Sequence, residues 1–234
     1  QLIERKVRGA YGMMAWGDHG KQTCGYNIHA LAEFAWNHKG RSEKEFSIAW
    51  ATREGYKDPE RVGEWAELMG PVEFDVYDSD FPIVYSWGKA AKMIEQRERP
   101  YLGEGIFRYY SDREDFDRKI AACNRALEIA RDFENPYLAD ETRVVRSYAR
   151  LAKWLYEVAE LVAMNEFRDL ASQARLRGAL DQLAAAGEEN ASAIRQWRQR
   201  LGPQPWHQRV HDAIQAVEAT VNDVREFVSG RYFY

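Results

Sequence analysis

The residues with the clearest chemical potential lie near the start of the chain, in the segment Trp16-Gly-Asp-His-Gly20. Trp16 offers a flat apolar ring and Asp18 a carboxylate that accepts hydrogen bonds, so the two suit a ligand with an apolar face and O–H donors. His19 could contact the same ligand or simply fill the loop. The alternative is a turn with a buried indole and a capping aspartate. We take Trp16, Asp18 and His19 as the candidate substrate-binding residues.

Other side chains that could do chemistry are more simply explained as structure. His207 and His211 have the spacing of a zinc-binding helix, but the Glu that follows the first His in that motif is absent and no third ligand is evident. Cys24 would need a nearby base to act as a nucleophile. Cys123 falls on an apolar stripe, as a core residue does. We therefore predict no metal site and no cofactor.

A strand, a loop and a helix are predicted to position the candidate residues. Residues 9–15 form a short apolar run between glycines, which indicates a buried strand ending in the loop 16–20. Apolar residues then recur at helical spacing and stop before Gly40; they are Ile28, Leu31, Ala32, Ala35 and Trp36. A lone strand followed by one helix cannot bury both its faces. This unit is typical of the end of a (β/α)8 barrel, whose active site lies at the carboxyl ends of the strands.

The start of the chain resembles one enzyme family. The run Tyr11-Gly-Met-Met-Ala-Trp-Gly-Asp-His-Gly20 resembles the last barrel strand of glycoside hydrolase family 20, the β-N-acetylhexosaminidases. The run Ala30-Leu-Ala-Glu-Phe-Ala-Trp-Asn37 resembles that family's final barrel helix. The helical tail after Gly40-Arg-Ser42 is also similar to the C-terminal region of some members. The specific motifs are confined to residues 11–37, and the tail is similar only in its helical character.

The resemblance assigns roles to the loop residues. In the family, a Trp-x-Glu motif at this place serves the sugar in the −1 subsite, with the indole as a wall and the carboxylate as a hydrogen-bond acceptor. Trp16 matches the family's Trp, and an indole face suits the apolar C–H face of a pyranose. Asp18 stands where the family has Glu, one methylene longer, so the hydroxyl contact differs.

The family's catalytic residues have no match in this chain. The chemistry is substrate-assisted: an Asp orients the acetamido group and an adjacent Glu is the general acid, both on an earlier strand. The only Asp-Glu pair here is Asp140-Glu141, which lies in the helical tail and lacks that strand context. The resemblance therefore implies the C-terminal part of a glycoside hydrolase acting on N-acetylhexosaminide-type sugars. The isolated chain is predicted to be inactive.

Beyond residue 40 the sequence predicts helices with clear ends. Ser42-Glu-Lys-Glu45 and Ser111-Asp-Arg-Glu114 are capping boxes. Asp58-Pro59 opens a helix predicted to end at Met69-Gly70-Pro71, and another opens near Asp80-Phe-Pro82. After residue 111 glycines become rare, and apolar stripes predict three long helices with a possible interruption at Gly187. The predicted fold is mainly α, an antiparallel long-helix bundle preceded by the strand-loop-helix unit.

This pattern divides the chain into three predicted regions. Residues 1–40 are the terminal strand-loop-helix of a barrel-like catalytic domain, residues 41–110 a short-helix connecting region, and residues 111–234 the long-helix bundle. The alternative to a glycosidase part is a non-enzymatic helical module for protein interaction or oligomerisation.

The composition and charge of the chain argue against some classes of binding partner. Lys and Arg number 33 against 37 Asp and Glu, a net charge of −4, which argues against a nucleic-acid binder. No apolar run approaches the roughly 18 residues of a membrane-spanning helix, and residues 1–30 show no signal-peptide pattern. The two cysteines are too few for a disulfide framework. We expect a carbohydrate substrate in the full-length protein and a possible homo-oligomer through the bundle.

Overall fold

The computed structural model describes residues 18–37, 39–78, 84–164, 167, 169–201 and 207–233. The described side chains begin at residue 25 and exclude those of residues 77–88 and 201–212. Within these ranges the chain forms α-helices and one short 3-10 turn at Gly105–Phe107. The helices are α1 (Asp18–Trp36), α2 (Glu43–Arg53), α3 (Pro59–Asp78), α4 (Val84–Glu95), α5 (Arg113–Ala130), α6 (Tyr137–Met164), α7 (Leu170–Leu201) and α8 (His207–Tyr232).

The helices after residue 111 pack as antiparallel neighbours, as the sequence predicts. Between α5 and α6, Arg113 pairs with Glu157 while Asn124 bonds Arg146, so residue numbers rise on one helix as they fall on the other. The same reversal relates α6 to α7, where Asp140 pairs with Arg200 and Ser147 accepts a hydrogen bond from Asn190. Short connections between long helices produce this up-and-down arrangement. The predicted helical bundle is therefore confirmed.

One hydrophobic core runs through most of the molecule. It extends from Ala51 in α2 to Val228 in α8, and its centre is the apolar stripe of α6, where Leu151 and Leu155 are completely buried. Helix α3 packs on α5 and α4 packs on α8, so the short helices join the core of the long ones. The predicted divisions at residues 40 and 110 stay predictions.

The structure differs from the sequence prediction in three details of the helices. Helix α3 continues through Gly70-Pro71 to Asp78, with Met69 and Val72 buried on either side of Pro71, whose missing N–H leaves one turn without its hydrogen bond. Gly187 does not interrupt α7; it lies against Val221 of α8, where a Cβ would come within 3.1 Å of that side chain. Four helices, not three, follow residue 111 in the described ranges, because α6 and α7 are separate.

The capping boxes show how closely sequence dictates helix starts. At α2 the predicted box is present: Glu45 N–H donates to Ser42 Oγ at 3.2 Å and Ser42 N–H to Glu45 Oε2 at 2.7 Å. At α5 the cap is one residue later than predicted, because Asp112 Oδ1 accepts the N–H of Asp115 at 2.8 Å. A carboxylate competes well with a hydroxyl for this position.

The strand predicted over residues 9–15 lies outside the described residues. No strand is present in the part of the chain that the structure describes. None of the helices described there is both long and apolar enough to cross a lipid bilayer.

Candidate functional site

The three predicted substrate-binding residues lie at the edge of what the structure describes. Trp16 falls outside the described residues. Asp18 and His19 form the first turn of α1, where the sequence predicts a loop, so the helix begins about ten residues earlier than its apolar stripe suggests. An acidic residue is favourable at a helix N-terminus because it faces the unpaired N–H groups. The side chains of Asp18 and His19 are outside the description.

Helix α1 is attached to the rest of the molecule by one face. Tyr26 Oη and Ser47 Oγ of α2 are 2.6 Å apart, and the Tyr26 ring makes edge contacts with Phe46 and Trp50 at centroid distances of 5.3 Å. Phe34, two turns along the same face, lies 5.6 Å from the Phe46 ring. This aromatic contact joins α1 to α2, yet none of the α1 side chains that the structure describes, residues 25–36, belongs to the continuous core.

The opposite face of α1 is apolar and uncovered. It carries the stripe seen in the sequence, and Leu31, Ala32, Ala35 and Trp36 are all exposed. Trp36 is 92% exposed, although an apolar stripe of this kind normally packs against another element. We call residues Ile28, Leu31, Ala32, Ala35 and Trp36 the α1 stripe. A helix that is apolar on two opposite faces is normally buried on both.

The Asp140-Glu141 pair is split between two environments, because consecutive helical residues point about 100° apart. Asp140 is 1% exposed and is enclosed by cations: Arg143 Nη1 lies 2.6 Å from Oδ1, and Arg200 of α7 pairs with Oδ2. A buried carboxylate between two guanidinium groups links α6 to α7. Its role is structural.

Beside Asp140 lies a basic cleft of about 490 Å³ between α5, α6 and α7. Arg131, Arg143, Arg146 and Arg200 line it. Three of these cations already have carboxylate partners, Asp140 for Arg143 and Arg200, and Glu189 for Arg146. The arginines therefore mainly hold the helices together.

Glu141 instead lines a second cleft, of about 560 Å³, between α1, α3 and α6. We call this the carboxylate cleft. Its chemistry comes from two carboxyl groups and four aromatic rings: Glu73, Glu141, Tyr26, Trp65, Phe74 and Tyr137. Its volume falls in the range of small-molecule sites. Helix α3 contributes the small residues Ala66 and Gly70 to this lining, and nothing lies within 4 Å of where a Gly70 Cβ would be, so space is left between the larger side chains.

Glu73 is the unusual group of this cleft. Its Oε1 is buried and has no hydrogen-bond partner. Burial, together with the negative charge of Glu141, raises the pKa of Glu73 well above its ordinary value. A carboxyl group in this condition is a frequent feature of functional sites.

Two of the four aromatic residues that form the wall of the carboxylate cleft, Trp65 and Tyr26, are held in place by hydrogen bonds to residues that do not line the cleft. Trp65 Nε1 donates to Thr142 Oγ1 at 2.9 Å, and that hydroxyl donates to the Leu138 carbonyl at 2.7 Å. The Tyr26 hydroxyl is engaged with Ser47. The polar atoms of these two side chains are thus satisfied elsewhere, so their rings supply apolar surface.

Glu73 is not recognisable as a site residue when α3 is predicted to end at Gly70-Pro71. With the helix continued, Ala66, Gly70 and Glu73 follow one another at helical spacing on one face. A charged residue on the same helix face as two small residues is the sequence pattern that could have indicated this site. Its partner Glu141 comes from 68 positions along the chain, which no local pattern reveals.

The remaining candidates take structural or undescribed positions. Cys123 is completely buried, as predicted, and burial raises its pKa to about 12. The side chains of Cys24, His207 and His211 lie outside the description. In the part of the chain that is described, no group of three His, Cys, Asp or Glu side chains could hold a metal ion.

Comparison with known proteins returned nothing to which the chain is similar: no family model, no curated protein and no solved structure matches it.

Proposed function

We propose that this chain is the C-terminal part of a glycoside hydrolase acting on N-acetylhexosaminide-type sugars. In this proposal residues 1–40 complete a catalytic barrel and the helical remainder buttresses it. Trp16 walls the sugar pocket, Asp18 accepts hydrogen bonds from sugar hydroxyls, and His19 lines the same loop. The general acid and the acetamido-orienting aspartate come from an earlier barrel strand, so this chain supplies no catalytic residue.

The observation that carries the proposal is the uncovered α1 stripe. The segment that resembles the final barrel helix, residues 30–37, ends α1 and includes four of the five residues of the α1 stripe. In a (β/α)8 barrel each outer helix covers strands with its apolar face. The bundle-facing side of α1, with Tyr26 and Phe34, would then join the barrel to the helical region.

The first test is the gene upstream of residue 1. An encoded barrel whose strands include an Asp-Glu motif supports the proposal, and its absence contradicts it. The full-length protein should then hydrolyse 4-nitrophenyl N-acetyl-β-D-glucosaminide.

A second test uses the stripe itself. The double variant Leu31→Ser, Trp36→Ser should lower the melting temperature and activity of the full-length protein, because it removes apolar contacts with the barrel. It should lower the melting temperature of the 234-residue chain much less, because Trp36 is 92% exposed there and Leu31 is 38% exposed. Lys39→Ser, an exposed change outside the stripe, is the control. An equal loss in both proteins would contradict a barrel-facing role.

The same stripe favours one other candidate, a non-enzymatic module that binds a second copy or another protein through α1. Analytical ultracentrifugation of the 234-residue chain distinguishes the interaction module from the glycosidase part. A stable dimer that dissociates in the double variant, together with the absence of an upstream barrel, would favour the interaction module.

A further inference from the structure

The carboxylate cleft is anionic and has no basic residue among its described lining residues. Elsewhere in the described chain, buried charges have partners. Lys119 is 7% exposed, and its ammonium contacts Asp75 and Asp115, both at 3.0 Å, and the Tyr109 carbonyl at 3.1 Å. Glu73 departs from this rule, since its Oε1 is buried without a donor.

An unpaired buried carboxyl is costly, because neither water nor a protein donor replaces its lost hydration. The nearby charge of Glu141 adds repulsion whenever Glu73 is ionised. A positively charged ligand would offset both costs at once. A neutral ligand such as an N-acetylated sugar could donate hydrogen bonds but would leave the repulsion between the two carboxylates in place.

The four aromatic rings further restrict the chemical class of the ligand. Tyr26, Trp65, Phe74 and Tyr137 line the same cleft as the carboxyls. Cations are attracted to aromatic faces, and the rings also provide apolar surface for a hydrocarbon group. Because Glu73 Oε1 lacks a donor, a cation that carries N–H groups fits better than a quaternary ammonium.

We propose that the carboxylate cleft binds a small organic cation, a primary ammonium group attached to an apolar or aromatic body. The ammonium donates to Glu73 Oε1 and is attracted by Glu141, while the rest of the ligand contacts the aromatic wall. This site is separate from the sugar loop at residues 16–19 and does not rest on the proposed glycosidase function.

Binding of such a cation is coupled to a proton. The titratable groups near Glu73 come from three helices: Glu141 of α6, Tyr26 of α1 and Cys123 of α5. Burial raises the pKa of both Tyr26 and Cys123 above their ordinary values, so these two remain neutral near pH 7. A bound ammonium stabilises the ionised form of Glu73 and expels its proton. Affinity should therefore rise with pH across the range in which free Glu73 titrates.

Isothermal titration calorimetry of the 234-residue chain tests the proposal with a matched pair of probes. Benzylamine, protonated at neutral pH, should bind at least tenfold more tightly than benzyl alcohol, which has nearly the same shape and no charge; roughly tenfold is the minimum for a hydrogen bond to a charged group. Titrations in two buffers of different ionisation enthalpy should show that benzylamine binding releases a proton.

Glu73→Gln should abolish the proton release and reduce benzylamine affinity by roughly tenfold or more. Glu141→Gln is the second variant, and it should weaken benzylamine binding while leaving the fold intact. Glu64→Gln changes the net charge equally on an exposed position of α3 outside the cleft, and it should have no effect. Equal binding of the two probes, or unchanged affinity in Glu73→Gln, would overturn the proposal. Tighter binding of N-acetylglucosamine than of benzylamine would also overturn it and make the cleft a sugar subsite.

Discussion

Two buried charged residues of this bundle each have one partner on their own helix and one on another helix. Asp140 sits between Arg143 and Arg200, and Lys119 between Asp75 and Asp115. Removing one member of a buried pair leaves the other charge uncompensated, which costs more than the pair contributes. Glu73 lacks such a partner, so its protonation should be visible in the stability of the protein.

The carboxyl of Glu73 should make the protein less stable as pH rises. Because its pKa is raised in the folded state, the folded protein holds this proton more tightly than the unfolded chain. The free energy of unfolding should fall from the unfolded pKa, about 4.3, until pH passes the raised folded pKa, and then level off. Glu73→Gln should remove this decrease.

Urea unfolding of both proteins from about pH 4.5 to about pH 8.5 measures the effect. Glu64→Gln should keep the slope of the unaltered protein. Parallel curves for the protein and Glu73→Gln would show that Glu73 does not titrate with a raised pKa.

The sugar-site hypothesis can be tested by substitutions of single residues, beginning with Asp18. If it accepts a hydrogen bond from a sugar hydroxyl, Asp18→Ala in the full-length enzyme should lower kcat/KM by roughly ten- to a hundredfold. Trp16→Ala should impair binding and rate together, because the pocket wall also positions the reacting group. Asp18→Glu restores the carboxylate that the resembled family has and should retain most activity.

The rival interpretation gives Asp18 only a capping role. In that case Asp18→Ala would change stability by about 1 kcal/mol and leave turnover untouched. Glycoside kinetics and melting temperature measured on the same variant separate these outcomes. A lowered melting temperature with unchanged kinetics would remove Asp18 from the sugar site.

At the level of the helices, close packing between neighbours depends on the positions of glycines, which have no side chain. Gly63 of α3 lies against Ile48 of α2, and a Cβ there would come within 2.8 Å of Ile48 Cγ1. Gly178 of α7 has nothing within 4 Å of the same atom position. Glycine is unfavourable inside a helix, so each must be judged by the space around it.

The two glycines should respond oppositely to alanine. Gly178→Ala should stabilise the protein by up to about 1 kcal/mol through helix propensity. Gly63→Ala gains the same propensity but overpacks the α2–α3 contact at a cost of about 1–3 kcal/mol, so it should destabilise. For a chain of this size each kcal/mol corresponds to roughly 2–4 °C in melting temperature. Stabilisation by Gly63→Ala would mean that α2 and α3 can separate freely.

For the whole molecule, the continuous core predicts one folding unit from α2 to α8. Residues from both the short and the long helices belong to that core, so the 234-residue chain should unfold in a single transition by circular dichroism. The same chain should not hydrolyse N-acetylglucosaminides, because the catalytic pair of the resembled family is missing from it.

Variants of Asp140 and Glu141 test the prediction that the isolated chain is inactive. Asp140→Ala should lower the melting temperature, because Arg143 and Arg200 lose the buried charge that joins α6 to α7. Glu141→Ala should change stability far less, because it lines an open cleft. Robust turnover by the purified chain, lost in either variant, would show that these carboxylates catalyse after all.

The sequence by itself determined the helical class of this protein and the starts of α2, α3 and α5. Capping at Ser42 and the periodicity of α6 depend on residues three or four positions apart, so they can be recognised locally. The tertiary structure decided what no local pattern contains: α3 passes through Pro71, Asp140 pairs with Arg200 of α7, and Glu73 of α3 lies beside Glu141 of α6. Burial, close approach and pKa depend on groups distant in sequence, and they become defined only when the helices pack.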